Sequence, residues 1–191
     1  MDHSGFWCYT PEQMEEVFMG RARGQCPPEP ADAPFVPSDW QITRRALATV
    51  TVEPAGLVMQ PPNLAVVGIA QLAHATRTHQ EHAVNMLGKT VTITFHAQEF
   101  IFDFGDGSHP VVSHDPGAPY PDMTNQHTYE EPIESTHLTL TTWWQATVTN
   151  PWTGHTITLH EKLKTVETTP PFEVKHLHIA LTDTAEELQG H

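Results

Sequence analysis

Apolar and polar residues alternate with period two through much of the chain beyond residue 49. Val91/Ile93/Phe95, Phe100/Phe102/Phe104, Leu138/Leu140 followed by Trp144/Ala146/Val148, and Ile157/Leu159 each place every second side chain on one face. Successive side chains of a strand point to opposite faces, so this period marks half-buried strands. The runs TVTVEP (49–54), NLAVVGIAQLAH (63–74), TVTITFH (90–96), EFIFDF (99–104), STHLTLTTWWQATVT (135–149), HTITLHEKL (155–163) and FEVKHLHIAL (172–181) are rich in β-branched and aromatic residues. Pro, Gly, Asn and Asp clusters separate them, and about seven strands so spaced predict a β-sandwich. TNPWTGH (149–155) predicts a hairpin loop with Gly154 at its turn.

The first 37 residues follow a different pattern. TPEQMEEVF offers Thr10 as N-cap, Pro11 at the first helical position and Gln13 to complete a capping box, so a short helix is expected, ending near Gly20 to Gly24. CPPEPADAPFVP (26–37) carries five prolines in twelve residues, which predicts an extended arm. Ser38 with Gln41 then caps a second short helix, SDWQITRRALATV, with Trp40, Ala46 and Leu47 as its inward residues. The resulting organisation is an N-terminal extension over 1–37, a β-sandwich domain with a leading helix over 38–182, and a tail over 183–191.

Composition narrows the function classes. The formal charge of −14 repels phosphate backbones and argues against nucleic acid as a partner. No run of eighteen apolar residues occurs, so no membrane-spanning helix is expected. The start of the chain lacks the basic and apolar regions of a signal peptide, which leaves a cytosolic protein or a mature secreted form. Two cysteines, Cys8 and Cys26, lie 18 positions apart without metal-binding spacing. A disulfide between them would contribute about 3 kcal/mol in the chain-entropy model. Two unrelated free thiols are the alternative; the disulfide reading is preferred here and implies an oxidising compartment.

FDFGDG (102–107) reads as a strand end and a tight reversal. Phe102 and Phe104 share the core face, Asp103 faces away, Gly105 and Gly107 supply positive φ, and Asp106 bonds its own downstream backbone. This run, followed by HTY (127–129) and a Leu-x-Leu strand, closely resembles the PKD domain. Phe102, Phe104, Gly105, Asp106, Gly107, His127 and Tyr129 match that family's motif. DPGAPYPD (115–122) and the layout before it resemble a subgroup of PKD-like proteins from actinobacteria. The resemblance covers roughly residues 40–182. Two positions depart from the pattern: Phe102 stands where Trp is commoner, and EEPIESTHLTL (130–140) lacks the usual Gly before its strand. The resemblance implies an immunoglobulin-like β-sandwich on a secreted or cell-envelope protein, non-catalytic, mediating protein–protein or protein–carbohydrate contacts. It also implies that Tyr129 packs inward with its hydroxyl on a backbone partner, and that His127 ties the Asp-Gly turn to the adjoining strand.

Three further chemistries compete. Asp103, Asp106, Asp115 and Asp122 are hard-cation ligands, and their convergence would make a Ca²⁺-dependent module. His74, His79 and His82, and separately His176 and His178, are transition-metal ligand types; His79 and His82 share a face only on a helix. Dispersed surface histidines on an acidic protein are the preferred account of them, and no cofactor is expected. Ser108, His109 and Asp115 carry triad residue types, but no nucleophile-elbow, zinc-protease or phosphate-loop motif is present, so an enzyme is not expected.

The tryptophans are the sharper binding candidates. Alternation sets Trp144 with Leu138, Leu140 and Val148 in the core and turns Trp143 to the opposite face. Trp143, Trp152 at the hairpin tip and Tyr120 in the Pro-rich loop are the expected contact residues for a cell-surface protein or glycan. The second functional expectation is a structural subunit of a surface assembly such as a pilus, secretion apparatus or phage tail.

Overall fold

The structure is a computed structural model, and it describes residues 36–160 and 162–177. Cys8, Cys26, the helix expected after Thr10, most of the Pro-rich arm, His178 and the tail 183–191 lie outside the described residues. Contacts divide the chain at Val36/Pro37, and the architecture below is that of the second unit.

The described fold is mainly β and sandwich-like, with a short helix α1 (Asp39–Leu47) ahead of the strands. Ser38 caps α1: its Oγ accepts the Gln41 amide while Gln41 Oε1 accepts the Ser38 amide. The buried face of α1 is Ile42, Thr43 and Ala46. Trp40, expected inward, is 70% exposed, because a helix turns 100° per residue and position 40 falls off the Ile42/Ala46 stripe. Leu47 is half-buried against the core.

Twelve strands follow among the described residues: β1 (Leu57–Gln60), β2 (Leu64–Val66), β3 (Ala70–Ala75), β4 (His79–Met86), β5 (Lys89–Asp103), β6 (Val111–Ser113), β7 (Gln126–Thr128), β8 (Ile133–Thr136), β9 (Thr139–Thr149), β10 (Thr156–Thr158), β11 (Leu163–Thr168) and β12 (Phe172–Lys175). The run 49–54, expected as a strand, is irregular chain, and 63–74 is split in two at Gly68, whose φ is +77°. The largest sheet is built on the antiparallel pair β5–β9. β10 and β11 share the other edge of β9, and β4 and β6 share the other edge of β5, so six strands make a sheet four strands wide. Two three-stranded sheets, β1–β3–β7 and β2–β12–β8, complete the fold, and β12 runs parallel to β2.

β5 is one strand of 15 residues where the sequence suggests two runs. Its buried positions switch parity, from Val91, Ile93 and Phe95 to Phe100 and Phe102. The register against β9 shifts between Ala97 and Glu99, so Gln98 is the extra residue of a β-bulge. His114 Nδ1 lies 2.6 Å from the Gln98 carbonyl oxygen and donates to it, holding the loop after β6 against the bulge. β9 keeps one parity throughout: Leu140, Thr142, Trp144, Ala146 and Val148 are buried and the intervening residues are not. Trp144 is fully buried, and its indole N–H donates to Thr165 Oγ1 at 2.8 Å. The core gathers these side chains with Phe95, Phe100, Phe102, Phe104, Tyr129, Leu138 and Phe172.

Candidate functional site

The Gly-Asp-Gly reversal is bound into the core from both sides. Phe104 is buried at the end of β5, and Gly105 follows with φ +73°. A Cβ on Gly105 would meet the His137 carbonyl oxygen at 2.5 Å, so both backbone and space require glycine there. Gly107 has φ +81° but open space around it. Asp106 Oδ1 accepts the Ser108 amide, and Oδ2 lies 2.6 Å from His127 Nε2. The His127 ring stacks on Phe104 at 4.7 Å and meets Tyr129 edge-on at 4.9 Å. Tyr129 is fully buried and its hydroxyl donates to the Phe104 carbonyl at 2.9 Å.

Electrostatics follow from this packing. Burial alone would raise the Asp106 carboxyl, but hydrogen bonds from Ser108 and then His127 outweigh it and hold the group below the usual carboxylate range. Burial pushes the Tyr129 phenol well up, with the Asp106 and Asp103 charges adding to the shift. These residues are arranged as a fastening of the reversal to the core.

The four aspartates shape their own turns. Each accepts an amide two residues on: Gly105 on Asp103, Ser108 on Asp106, Gly117 on Asp115 and Thr124 on Asp122. Among the described residues no group of three His, Cys, Asp or Glu side chains is placed to hold a metal. His74 is buried in β3, while His79 and His82 lie on opposite faces of β4, because the segment is a strand and not a helix. Ser108 and His109 lie on the exposed reversal, and Ser113 rather than His109 bonds Asp115, through its amide and carbonyl.

The outward face of the large sheet presents the more distinctive chemistry. Cross-strand pairing sets its side chains in rows. Asp103 lies beside Thr139 and Thr168; Val112 beside Ile101, Thr141 and Val166; Glu99 beside Trp143 and Lys164. Beyond the bulge, His79 lies beside His96 and Gln145, then Glu81 beside Thr94, Thr147 and Thr158. Threonine pairs tie adjacent strands within a row: Thr139 Oγ1 and Thr168 Oγ1 are 3.2 Å apart, and Thr149 Oγ1 and Thr156 Oγ1 are 3.1 Å apart. Trp143 is half-buried in the middle of this face, and Lys164 Nζ lies 5.9 Å from its ring centroid. Val166 (52% exposed) lies one row away on the adjacent strand β11, and Val112 (60%) lies in that same row on β6, two strands from β9.

Trp152 and Tyr120 are elsewhere. Trp152, expected to project from the hairpin tip, is half-buried against the core, because Asn150 folds the loop inward by accepting the Trp152 amide. Lys89 Nζ lies 5.4 Å from the Trp152 ring centroid and covers it. Tyr120 is 68% exposed in the loop after β6, with its amide donated to Gln60 Oε1. The three aromatics therefore do not make one surface, and Trp143 alone stands among ordered polar rows. The rows themselves were not legible in advance, since they depend on strand register. No family model, curated protein or solved structure matches the chain. No helix among the described residues is long and apolar enough to cross a membrane.

Proposed function

We propose that the chain is a PKD-like, immunoglobulin-type binding module of a secreted or cell-envelope protein, without catalytic activity, and that it holds a glycan on the outward face of its large sheet. The observation that carries this reading is Trp143, half-exposed between Glu99 and Lys164 on a threonine-rich surface. An indole offers its face to the C–H side of a sugar ring, while neighbouring carboxylate, ammonium, amide and hydroxyl groups take the sugar hydroxyls. The net charge of −14 disfavours polyanionic glycans, so a neutral polysaccharide is the matching class. Affinity electrophoresis in gels containing neutral polysaccharides tests it: the parent chain is retarded and Trp143→Ala is not. Equal mobility of the two in every polysaccharide tried removes the glycan reading.

A second reading, a subunit of a surface assembly, is favoured by one feature. β4 has eight residues and no partner on its outer edge among the described residues. Such an edge is a template for another strand. Light scattering on size-exclusion fractions of the full chain distinguishes the two, since a strict monomer at all concentrations opposes assembly through this edge. A calcium-dependent module would need converging carboxylates, and a melting temperature that rises with Ca²⁺ and falls with a chelator is the result that would revive it.

A further inference from the structure

On the outward face, beyond the bulge, His79 of β4 and His96 of β5 stand opposite each other. Thr78 and Ala97 form a hydrogen-bonded pair through the Ala97 amide and Thr78 carbonyl, so the next pair, His79 and His96, is of the non-hydrogen-bonded kind, in which side chains approach most closely. The two ring centroids are 4.8 Å apart with planes at 56°, and both residues are exposed.

We propose that His79 and His96 form a two-imidazole chelating site for a late first-row divalent cation, Cu²⁺ foremost, with its remaining coordination positions open. Imidazole nitrogens about 2.0–2.1 Å from a shared metal put each ring centroid about 3.2 Å from it, and the centroids about 4.5–5.2 Å from each other for angles between right and tetrahedral. The observed 4.8 Å falls inside that interval, so the two rings already stand at the separation that a shared metal requires. The histidine-ring hydrogen bonds among the described residues belong to His114, His127 and His155, which leaves the nitrogens of this pair available as ligands. Imidazole suits Cu, Ni and Zn, and Cu²⁺ stands highest in the affinity order. The acidic chain raises the local concentration of cations. Among the described residues no third His, Cys, Asp or Glu completes the set, so water or an oxygen of a bound molecule takes the other positions. Gln145, next in the row, brings an amide oxygen to the same part of the face.

This site stands independently of the glycan reading, although Gln145 is two residues from Trp143 on the same side of β9. The test is calorimetric titration of the untagged full chain carrying His3→Gln, which removes the amino-terminal Met1-Asp2-His3 chelate for Cu²⁺ and Ni²⁺, with each metal alone, together with the electron paramagnetic resonance spectrum of the Cu²⁺ form; every variant below is made in this background. The expected result is one tightest site per chain with nitrogen coupling from two imidazoles. Losing one arm of a chelate removes its effective concentration, so His79→Gln or His96→Gln weakens that site by about 100-fold. His160→Gln, on an exposed residue elsewhere, and Trp143→Ala leave it unchanged. A parent-like titration of either His79→Gln or His96→Gln overturns the proposal, as does an equal loss in His160→Gln.

Discussion

His127 Nε2 sits 2.6 Å from Asp106 Oδ2, and this contact joins the reversal after β5 to β7, a strand of a different sheet. The pair is largely shielded from water, with about 15% of each side chain exposed. Asp106 is held below the usual carboxylate range, so the folded state favours its charged form more than the unfolded chain does. The stability it contributes is therefore complete above the ordinary carboxylate range and is lost as pH falls through the lowered folded value. Asp106→Asn is expected to cost about 1.5–3 kcal/mol at neutral pH, the range for hydrogen bonds to a charged group. Urea unfolding of parent and variant from neutral to strongly acid pH checks this: the two curves should converge as the pH drops.

The two glycines of the reversal are expected to respond unequally. Gly105→Ala combines positive φ with a backbone oxygen at 2.5 Å, and should destabilise by well over 1 kcal/mol. Gly107→Ala meets nothing within 4 Å and bears only the backbone penalty of about 1–2 kcal/mol. Thermal denaturation ranks them, and a Gly107 variant as damaged as the Gly105 variant would contradict the geometry.

The tryptophans should separate stability from binding. Trp152→Ala removes a half-buried ring from the edge of the core and should cost about 2 kcal/mol. Trp144→Ala removes a fully buried one and should cost about 3–5 kcal/mol. Trp143→Ala should leave stability within about 1 kcal/mol of the parent, while weakening retention on neutral polysaccharide at least about tenfold. Melting curves alongside affinity electrophoresis provide both readouts.

His74 predicts a second, milder acid sensitivity. Its ring is buried with Nδ1 unpartnered among the described residues; burial lowers its pKa, and the Asp122 carboxylate partly opposes that. A histidine held neutral in the fold loses stability as pH falls below the ordinary imidazole value of about 6.5, because the unfolded chain takes up the proton first. His74→Leu should therefore gain stability relative to the parent as the solution is taken from neutral to mildly acid. Parallel melting-temperature profiles for the two proteins would refute it.

What the sequence disclosed divides along a physical line. The inward set of each strand was legible because alternation is a property of one segment: Val91/Ile93/Phe95, Phe100/Phe102/Phe104 and Trp144/Ala146/Val148 are all buried. The orientations of Trp143 and Trp144 followed from the same rule. Helix α1 was legible from its cap and, on its inward face, from Ala46 and Leu47; Trp40 is exposed, and Ile42 takes the buried position instead. Residues brought together across strands were not legible at all. His79 and His96 meet through a register that neither strand encodes alone, and the Glu99–Trp143–Lys164 row needs three strands to be aligned. The inward fold of Trp152 depends on a hydrogen bond from its own amide to Asn150, which composition does not reveal.

Gln98 gives β5 one residue more than β9 requires at that point. Every buried hydrophobic residue of β5 before it is odd-numbered and every one after it is even-numbered, yet all point into the same interior. The strand thus carries two phases joined at a single residue. Deleting Gln98 alone would remove the bulge and set Phe100, Phe102 and Phe104 in one continuous phase with Val91, Ile93 and Phe95, in unbroken register with β9. What the extra residue supplies is therefore not the inward face, which a straight strand would also present, but a local bend and a carbonyl that takes the His114 ring.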